Sequence, residues 1–235
     1  MSDRLDAARD GLGSIVFVAG EAGAGKTTVV SEFIARAPAD ALVLAGHCDP
    51  LSTPRPLGPL IEIANHRDFG IAVSDHENVY SLFSDVIDRF THSVRPILMV
   101  IEDVHWADQA TLDMLIYVGR RISSTKAMVV ATYRGDEIGP THPLRRVIGD
   151  LLPKPSTTKL DIELLSLEAV RSLVGDSAID ADTLFRLTGG NPFYVTEVLA
   201  SGDYLPSSVE EAVLARIGML APEVRLAVEA VSVAP

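Results

Sequence analysis

The chain contains very little cysteine: Cys48 is the only one among 235 residues. A single cysteine excludes an intramolecular disulfide and any metal site built on several thiolates. Long apolar runs are also missing, since no stretch approaches the length of about 18 residues that a membrane-spanning helix needs. The first residues, MSDRLDAARDG, are polar and carry both charge signs, unlike a signal peptide. We therefore expect a cytoplasmic protein without a membrane segment.

Positive charge is scarce as well. The chain has 20 Lys and Arg residues against 32 Asp and Glu residues, which gives a net charge of −12. An acidic surface repels the phosphates of nucleic acid, so we expect any contact with DNA to need a domain outside this chain. An apolar fraction of 47% is ample for a buried core, and the length suits one large domain or two small ones.

The most informative segment is GEAGAGKT at residues 20–27, which fits the phosphate-binding loop G-x-x-x-x-G-K-[ST] at every fixed position. A short apolar run rich in β-formers precedes it at residues 14–19, and a helical pattern follows at residues 28–37. Strand, loop and helix therefore come in the order that points a helix N-terminus at an anion. The segment predicts binding of ATP or ADP together with Mg²⁺.

The residues of this loop have different roles. The glycines allow the backbone to wrap closely around phosphate oxygens. The Lys26 ammonium can reach the β- and γ-phosphates, and the Thr27 hydroxyl can ligate Mg²⁺. The predicted nucleotide-binding residues of the loop and the first helical turn are Gly20, Gly23, Ala24, Gly25, Lys26, Thr27 and Thr28.

Strand and helix patterns alternate as far as Glu163, which is typical of a parallel sheet with helices on both faces. Strands are predicted at residues 14–19, 41–46, 97–101, 127–132 and 157–162. Helices are predicted between them at residues 28–37, 60–66, 79–91 and, with Asp108 as N-cap, 109–122. From Ser166 only helical patterns occur, at residues 167–174, 181–187, 193–199, 209–220 and from 222 onward. We predict an α/β domain at residues 1–163 followed by a helical domain at residues 164–205.

A second acidic site follows the third strand, which runs directly into Glu102 and Asp103. In proteins with a phosphate-binding loop, one such carboxylate holds Mg²⁺ and the other orients the attacking water. Such proteins commonly place the fourth strand between the first and third, so the predicted sheet order is 5-1-4-3-2. Arg134, at the end of that fourth strand, then becomes a candidate sensor of the γ-phosphate. The alternative for Arg134 is a surface ion pair with Asp136 or Glu137.

The segment EDVHWAD at residues 102–108 resembles the acidic motif of the STAND branch of AAA+-related ATPases. More narrowly, it resembles the ATPase domain of large LuxR-type transcriptional regulators. Residues 48–59, 131–134 and 188–193 resemble further segments of the same family. The resemblance implies that Pro192 packs on the adenine, that the ATP state self-associates, and that residues 206–235 begin an incomplete winged-helix-like domain.

The resemblance also leaves roles open. The family usually has Asp where this chain has Glu102, so either Glu102 or Asp103 could serve Mg²⁺. We assign Thr27 and Glu102 to the metal, and Asp103, Glu102 and Arg134 to catalysis. His105 and Trp106 are expected to fix the loop after the acidic strand. Arg120 and Arg121 either act on a neighbouring molecule's nucleotide or, as the simpler role, stabilise a helix end.

These features favour an ATP-dependent switch that hydrolyses ATP slowly to ADP and phosphate. One alternative is a small-molecule phosphotransferase on the same core. Another is a scaffold that keeps ADP bound and hydrolyses almost nothing. Against the phosphotransferase, the sequence has no arginine-rich lid.

Overall fold

A computed structural model describes residues 1–71, 78–202, 206–218 and 222–232 of the chain. It divides into two compact units, Met1–Glu163 and Leu164–Pro235. Among the described residues, no helix is both long and apolar enough to cross a membrane.

A parallel sheet forms the centre of the first unit. Its strands are β1 (Ser14–Gly20), β2 (Leu42–His47), β3 (Ile97–Glu102), β4 (Ala127–Arg134) and β5 (Thr157–Asp161). They lie in the order β2-β3-β4-β1-β5, which confirms the predicted order 5-1-4-3-2 counted from the other edge. All neighbouring strands are parallel. β1, β3 and β4 are almost continuously apolar because each is covered on both faces.

Helices cover the sheet on both sides. In the first unit they are α1 (Ser2–Arg9), α2 (Lys26–Ala35), α3 (Gly58–Ala64), α4 (Val79–Thr91), α5 (Gln109–Gly119) and α6 (Pro143–Leu151). α1 and α2 pack on one face through residues such as Leu5 and Val30. α3 to α6 pack on the other, where Phe83 and Leu112 are buried. Right-handed crossovers explain on which face α2 to α6 pack. The chain runs from β1 to β2 at one edge, which places α2 on one face, and then runs in the opposite direction through β3 and β4 to β5, which places α3 to α6 on the other face.

Some helix ends differ from the predicted ones. α2 begins at Lys26 rather than at residue 28, since the last residues of the phosphate-binding loop already form its first turn. α5 ends at Gly119 rather than at residue 122, because the backbone N–H and hydroxyl of Thr125 both bond to the Ile122 carbonyl and close a 3₁₀ turn instead. α1 and α6 had no predicted counterpart. Asp108 caps α5 as predicted, by accepting hydrogen bonds from the N–H groups of Ala110 and Thr111.

Within its described residues, the second unit contains helices joined by turns and no strand. Its helices are α7 (Leu167–Val174), α8 (Ala181–Thr188), α9 (Pro192–Ser201), α10 (Ser207–Gly218) and α11 (Pro222–Ser232). A separate small core forms from Val170, Leu184, Val195 and Val198. The predicted helix at residues 209–220 corresponds to α10, and its last two residues, 219 and 220, lie outside the described residues.

Candidate functional site

The loop at residues 20–27 joins the carboxyl end of β1 to the first turn of α2. Gly23 and Gly25 have φ values of 78° and 90°, in the left-handed region that glycine enters without strain. The N–H groups in the first turn of α2 have no acceptor within the helix. Together with the helix dipole, these groups favour a bound anion at this point.

The Lys26 side chain is fixed across the loop. Its Nζ donates to the carbonyl oxygens of Gly20, at 2.9 Å, and Glu21, at 2.8 Å. Burial lowers the pKa of Lys26, and the positive charge of Arg134 lowers it further. The carboxylates of Asp103, Asp136 and Glu137 oppose this shift. An ammonium has a further N–H donor to offer, so the held side chain is oriented for an additional acceptor such as a phosphate oxygen.

The phosphate-binding loop meets the acidic strand at Thr27 and Glu102. The Thr27 hydroxyl donates to Glu102 Oε2 at 2.9 Å. This pairing brings together a hydroxyl and a carboxylate, the oxygen ligands that Mg²⁺ takes in proteins. Within the described residues, no group of three or more His, Cys, Asp or Glu side chains is placed to hold a metal.

A histidine that no motif marks also lies beside Glu102. His47, the last residue of β2, has its Nε2 3.8 Å from Glu102 Oε1. Its backbone N–H donates to Glu62 Oε2 at 2.8 Å, and its Nδ1 lies 3.2 Å from the same oxygen. The strand order explains this arrangement, since β2 is paired with β3.

Asp103 occupies an unusual backbone conformation at the end of β3. Its φ is 55° and its ψ is 44°, a left-handed conformation that Asp tolerates better than most residues. Its N–H donates to the hydroxyl of Thr132 on β4 at 3.0 Å, which fastens the turn to the neighbouring strand. Oδ1 of Asp103 lies 3.8 Å from Nδ1 of His105.

Arg134 is the last residue of β4, and its guanidinium is paired within the chain. Its Nη1 lies 2.6 Å from Oε1 of Glu137. Of the two acidic partners considered from the sequence, the structure therefore shows the pair with Glu137. Glu137 stands on the turn after β4, and no sequence motif marks it as part of the site.

His105 lies buried between the acidic turn and β4. Its Nδ1 accepts a long hydrogen bond, of 3.4 Å, from the N–H of Arg134. Its Nε2 lies 3.3 Å from Oε2 of Glu137, although these atoms are not aligned as a hydrogen bond. Burial lowers the pKa of His105, while Asp103 and Glu137 favour its charged form. His142 bonds to the His105 carbonyl at 3.1 Å, so this segment is fixed by both its side chain and its backbone.

The carboxyl ends of β1, β3 and β4 thus bring the predicted residues of the loop, the acidic pair and Arg134 to one edge of the sheet. Pro192 begins α9 in the second unit, so its contact with an adenine stays a prediction. Arg120 makes two hydrogen bonds to Asp150, at 2.9 and 2.7 Å. The Arg121 guanidinium stacks 3.7 Å from the centre of the Tyr117 ring.

The sequence pattern of a family described as "AAA ATPase domain" matches residues 1–130. No curated protein matches the chain. Solved structures do. The Cdc6p protein of Pyrobaculum aerophilum has a TM-score of 0.53 and 10% identity, over 85% of this chain and 60% of that one. The ORC1 protein of Aeropyrum pernix, solved in complex with DNA, has a TM-score of 0.52 and 15% identity, over 84% and 58%.

A STAND protein with a tetratricopeptide repeat sensor from Pyrococcus horikoshii has a TM-score of 0.48 and 18% identity, over 95% of this chain and 32% of that one. The chain therefore spans between about a third and three fifths of these proteins. At these identities, the likeness to Cdc6p and ORC1 shows a common fold, the parallel sheet and helices of AAA+ proteins.

Proposed function

Because this chain belongs to the AAA ATPase domain family, we propose that it binds ATP and ADP with Mg²⁺ and acts as a slowly hydrolysing switch domain. The observation that carries the proposal is the hydrogen bond between Thr27 and Glu102, beside the held ammonium of Lys26. It joins the phosphate-binding loop to the acidic strand, which are the two halves of one ATPase site.

In this proposal the loop holds the phosphates. The N–H groups of residues 23–28 and the Lys26 ammonium bind the β- and γ-phosphates. Thr27 and Glu102 hold Mg²⁺, and their hydrogen bond supports Glu102, rather than Asp103, as the metal-side carboxylate. When bound, the ion would neutralise charge that develops on the phosphates.

Asp103 is then the carboxylate that acts on the attacking water. Its carboxylate orients the attacking water, or accepts its proton, so that ATP and water give ADP and phosphate. The fastening of its N–H to Thr132 supports this role, because it fixes the backbone of the acidic turn. Arg134 would bind the γ-phosphate and stabilise its charge. Since STAND switches dwell in one nucleotide state, we expect slow turnover.

The resemblance of residues 102–108, 131–134 and 188–193 supports a wider role as the switch of a STAND-type, LuxR-family transcriptional regulator in the cytoplasm. Pro192 would pack on the adenine, and the ATP state would favour self-association. DNA would be bound by a domain outside this chain, in line with the net charge of −12.

The first experiment is to denature the freshly purified protein and identify the released nucleotide by chromatography. We expect stoichiometric ADP or ATP from the parent and none from Lys26→Ala, which lacks the phosphate-reaching ammonium. Lys154→Ala is the matched control, a lysine outside the loop, and should retain nucleotide. A Lys26→Ala protein that retained nucleotide as the parent does would contradict the proposed site.

A second experiment separates a switch from a scaffold by turnover. Asp103→Asn should bind ATP as the parent does but release phosphate at least about tenfold more slowly, because it removes the group that acts on water. Glu102→Gln should shift the Mg²⁺ dependence of binding to higher concentration. If the parent itself releases no phosphate, the ADP-bound scaffold is favoured.

A further inference from the structure

Glu137 forms an ion pair with the guanidinium of Arg134. One carboxylate oxygen lies 2.6 Å from Nη1 of Arg134, and the other lies 3.3 Å from Nε2 of the buried His105. His105 in turn accepts a hydrogen bond from the backbone N–H of Arg134. The Glu137 carboxylate therefore lies between the side chains of Arg134 and His105, at the edge where β3 and β4 have their carboxyl ends.

Positive and negative side chains surround the Glu137 carboxylate and affect how a phosphate would bind there. Lys26 is bonded to the carbonyl of Gly20, which lies opposite Arg134 in the sheet. The charge of Arg134 accordingly lowers the pKa of Lys26. Asp103, Asp136 and Glu137 oppose that shift. Glu137 forms an ion pair with Arg134, with 2.6 Å between Oε1 and Nη1. A phosphate placed against Lys26 would offer Arg134 a competing anion.

We propose that Glu137 is a specificity-determining residue, which competes with the terminal phosphate of ATP for the Arg134 guanidinium. The inference rests on the proposed function, and in particular on Arg134 binding the γ-phosphate. With ADP the ion pair between Arg134 and Glu137 persists. With ATP, Arg134 exchanges the carboxylate for phosphate oxygens. Glu137 thus reduces the preference of the site for ATP over ADP.

The test measures dissociation constants for ADP and for a non-hydrolysable ATP analogue by titration calorimetry, with Mg²⁺ present. Glu137→Gln keeps the shape of the side chain and removes its charge. We expect it to raise the preference for the ATP analogue over ADP by about two- to fivefold, since the paired side chains are 33% and 31% exposed and such pairs are weak. Arg134→Ala should weaken binding of the ATP analogue and leave ADP binding unchanged.

The double variant makes the test specific. If Glu137 acts through Arg134, Arg134→Ala combined with Glu137→Gln should show the same preference as Arg134→Ala alone. Asp150→Asn is the matched control, because it removes the acidic partner of Arg120 from another arginine pair in the same unit. It should leave both dissociation constants unchanged.

The outcomes separate this inference from the proposed function. A parent protein that binds neither nucleotide contradicts the proposed function, and the inference falls with it. A parent that binds both, with an unchanged preference in Glu137→Gln, leaves the proposed function standing and overturns the role of Glu137. A shift that persists in the double variant also overturns it, because the effect would then not pass through Arg134.

Discussion

Gly190 shows how a single residue can be fixed by its surroundings. It has a φ of 78°, and a Cβ added there would lie 2.1 Å from the carbonyl oxygen of Leu165. The N–H of Leu165 also donates to the carbonyl of Gly190 at 2.8 Å, so the two segments cannot separate without losing a hydrogen bond. These contacts within the second unit require a glycine at position 190, whatever the role of the neighbouring Pro192.

We therefore expect Gly190→Ala to reduce the free energy of unfolding of the second unit by about 3 kcal/mol, from the clash together with the left-handed backbone. Gly189→Ala is the matched control, because its φ is 60° but a Cβ there meets nothing within 4 Å. Urea unfolding followed by circular dichroism measures both. An equal loss in the two variants would show that the backbone conformation alone matters.

Cys48 should be an unreactive thiol. Burial, followed by the nearby charges of Asp108 and Asp103, raises its pKa from 9.0 to about 12. The folded protein thus disfavours the thiolate, and this thiol costs stability once the pH rises above 9.0, where the unfolded chain would ionise. We expect a disulfide reagent at pH 8 to label native protein far more slowly than protein in denaturant. Equal labelling rates would contradict a buried thiol.

At the scale of elements, α5 depends on its cap. Oδ1 of Asp108 accepts from the N–H groups of Ala110, at 2.8 Å, and Thr111, at 3.1 Å. Oδ2 accepts from the N–H of Leu57 at 3.1 Å, so the same carboxylate also ties the loop before α3 to α5. These hydrogen bonds give Asp108, the last residue of the segment EDVHWAD, a structural role.

Asp108→Ala should lower the free energy of unfolding by about 1 to 2 kcal/mol, because several N–H groups lose their acceptor. Asp113→Ala, on the same helix, is the control: its carboxylate accepts from the Gln109 side chain at the surface, and its loss should cost less than about 0.5 kcal/mol. Chemical denaturation of both variants measures the difference. Similar losses would mean that the cap contributes nothing particular.

The elements that could be predicted are those with a strong local pattern. β1, β3 and β4 are almost continuous apolar runs. α4 has its predicted ends because its apolar residues repeat at helical spacing after the cap Asn78. α1 was not predicted, since it buries only Leu5 and Ala8 in a polar segment. α6 follows residues rich in glycine and proline, and its cap is His142, which is not among the usual capping residues.

The candidate site divides in the same way. The phosphate-binding loop and the acidic pair are contiguous motifs, so their residues could be named from the sequence. The ion pair between Arg134 and Glu137 is local, since the two residues are three positions apart, and it was considered from the sequence. His47 and Glu62 come from separate segments, and the pairing of β2 with β3 brings His47 beside Glu102. This contact depends on tertiary structure, which no local pattern encodes.

At the scale of the whole molecule, the two units have separate cores and need not unfold together. If the first unit binds nucleotide, ADP at 100 times its dissociation constant should stabilise that unit by about 2.7 kcal/mol. Trp106 is the only tryptophan and lies in the first unit, so its fluorescence reports that unit, whereas circular dichroism reports both.

We expect ADP to move the fluorescence transition to higher temperature, with no such movement in Lys26→Ala. A single transition that shifts identically in both signals would show that the two units unfold as one.

The parallel register has a consequence for changes in chain length. Gly20 lies opposite Arg134, and Ile101 lies opposite Ala131. One residue inserted within β3 or β4 would turn every side chain beyond it to the opposite face of the sheet, and would displace Glu102 or Arg134 from its place beside the loop. An insertion between α2 and β2, at residues 36–41, lies at the other end of the strands and shifts none of these pairings. Tolerance to insertions and deletions should therefore be high at the amino ends of the strands and low within them.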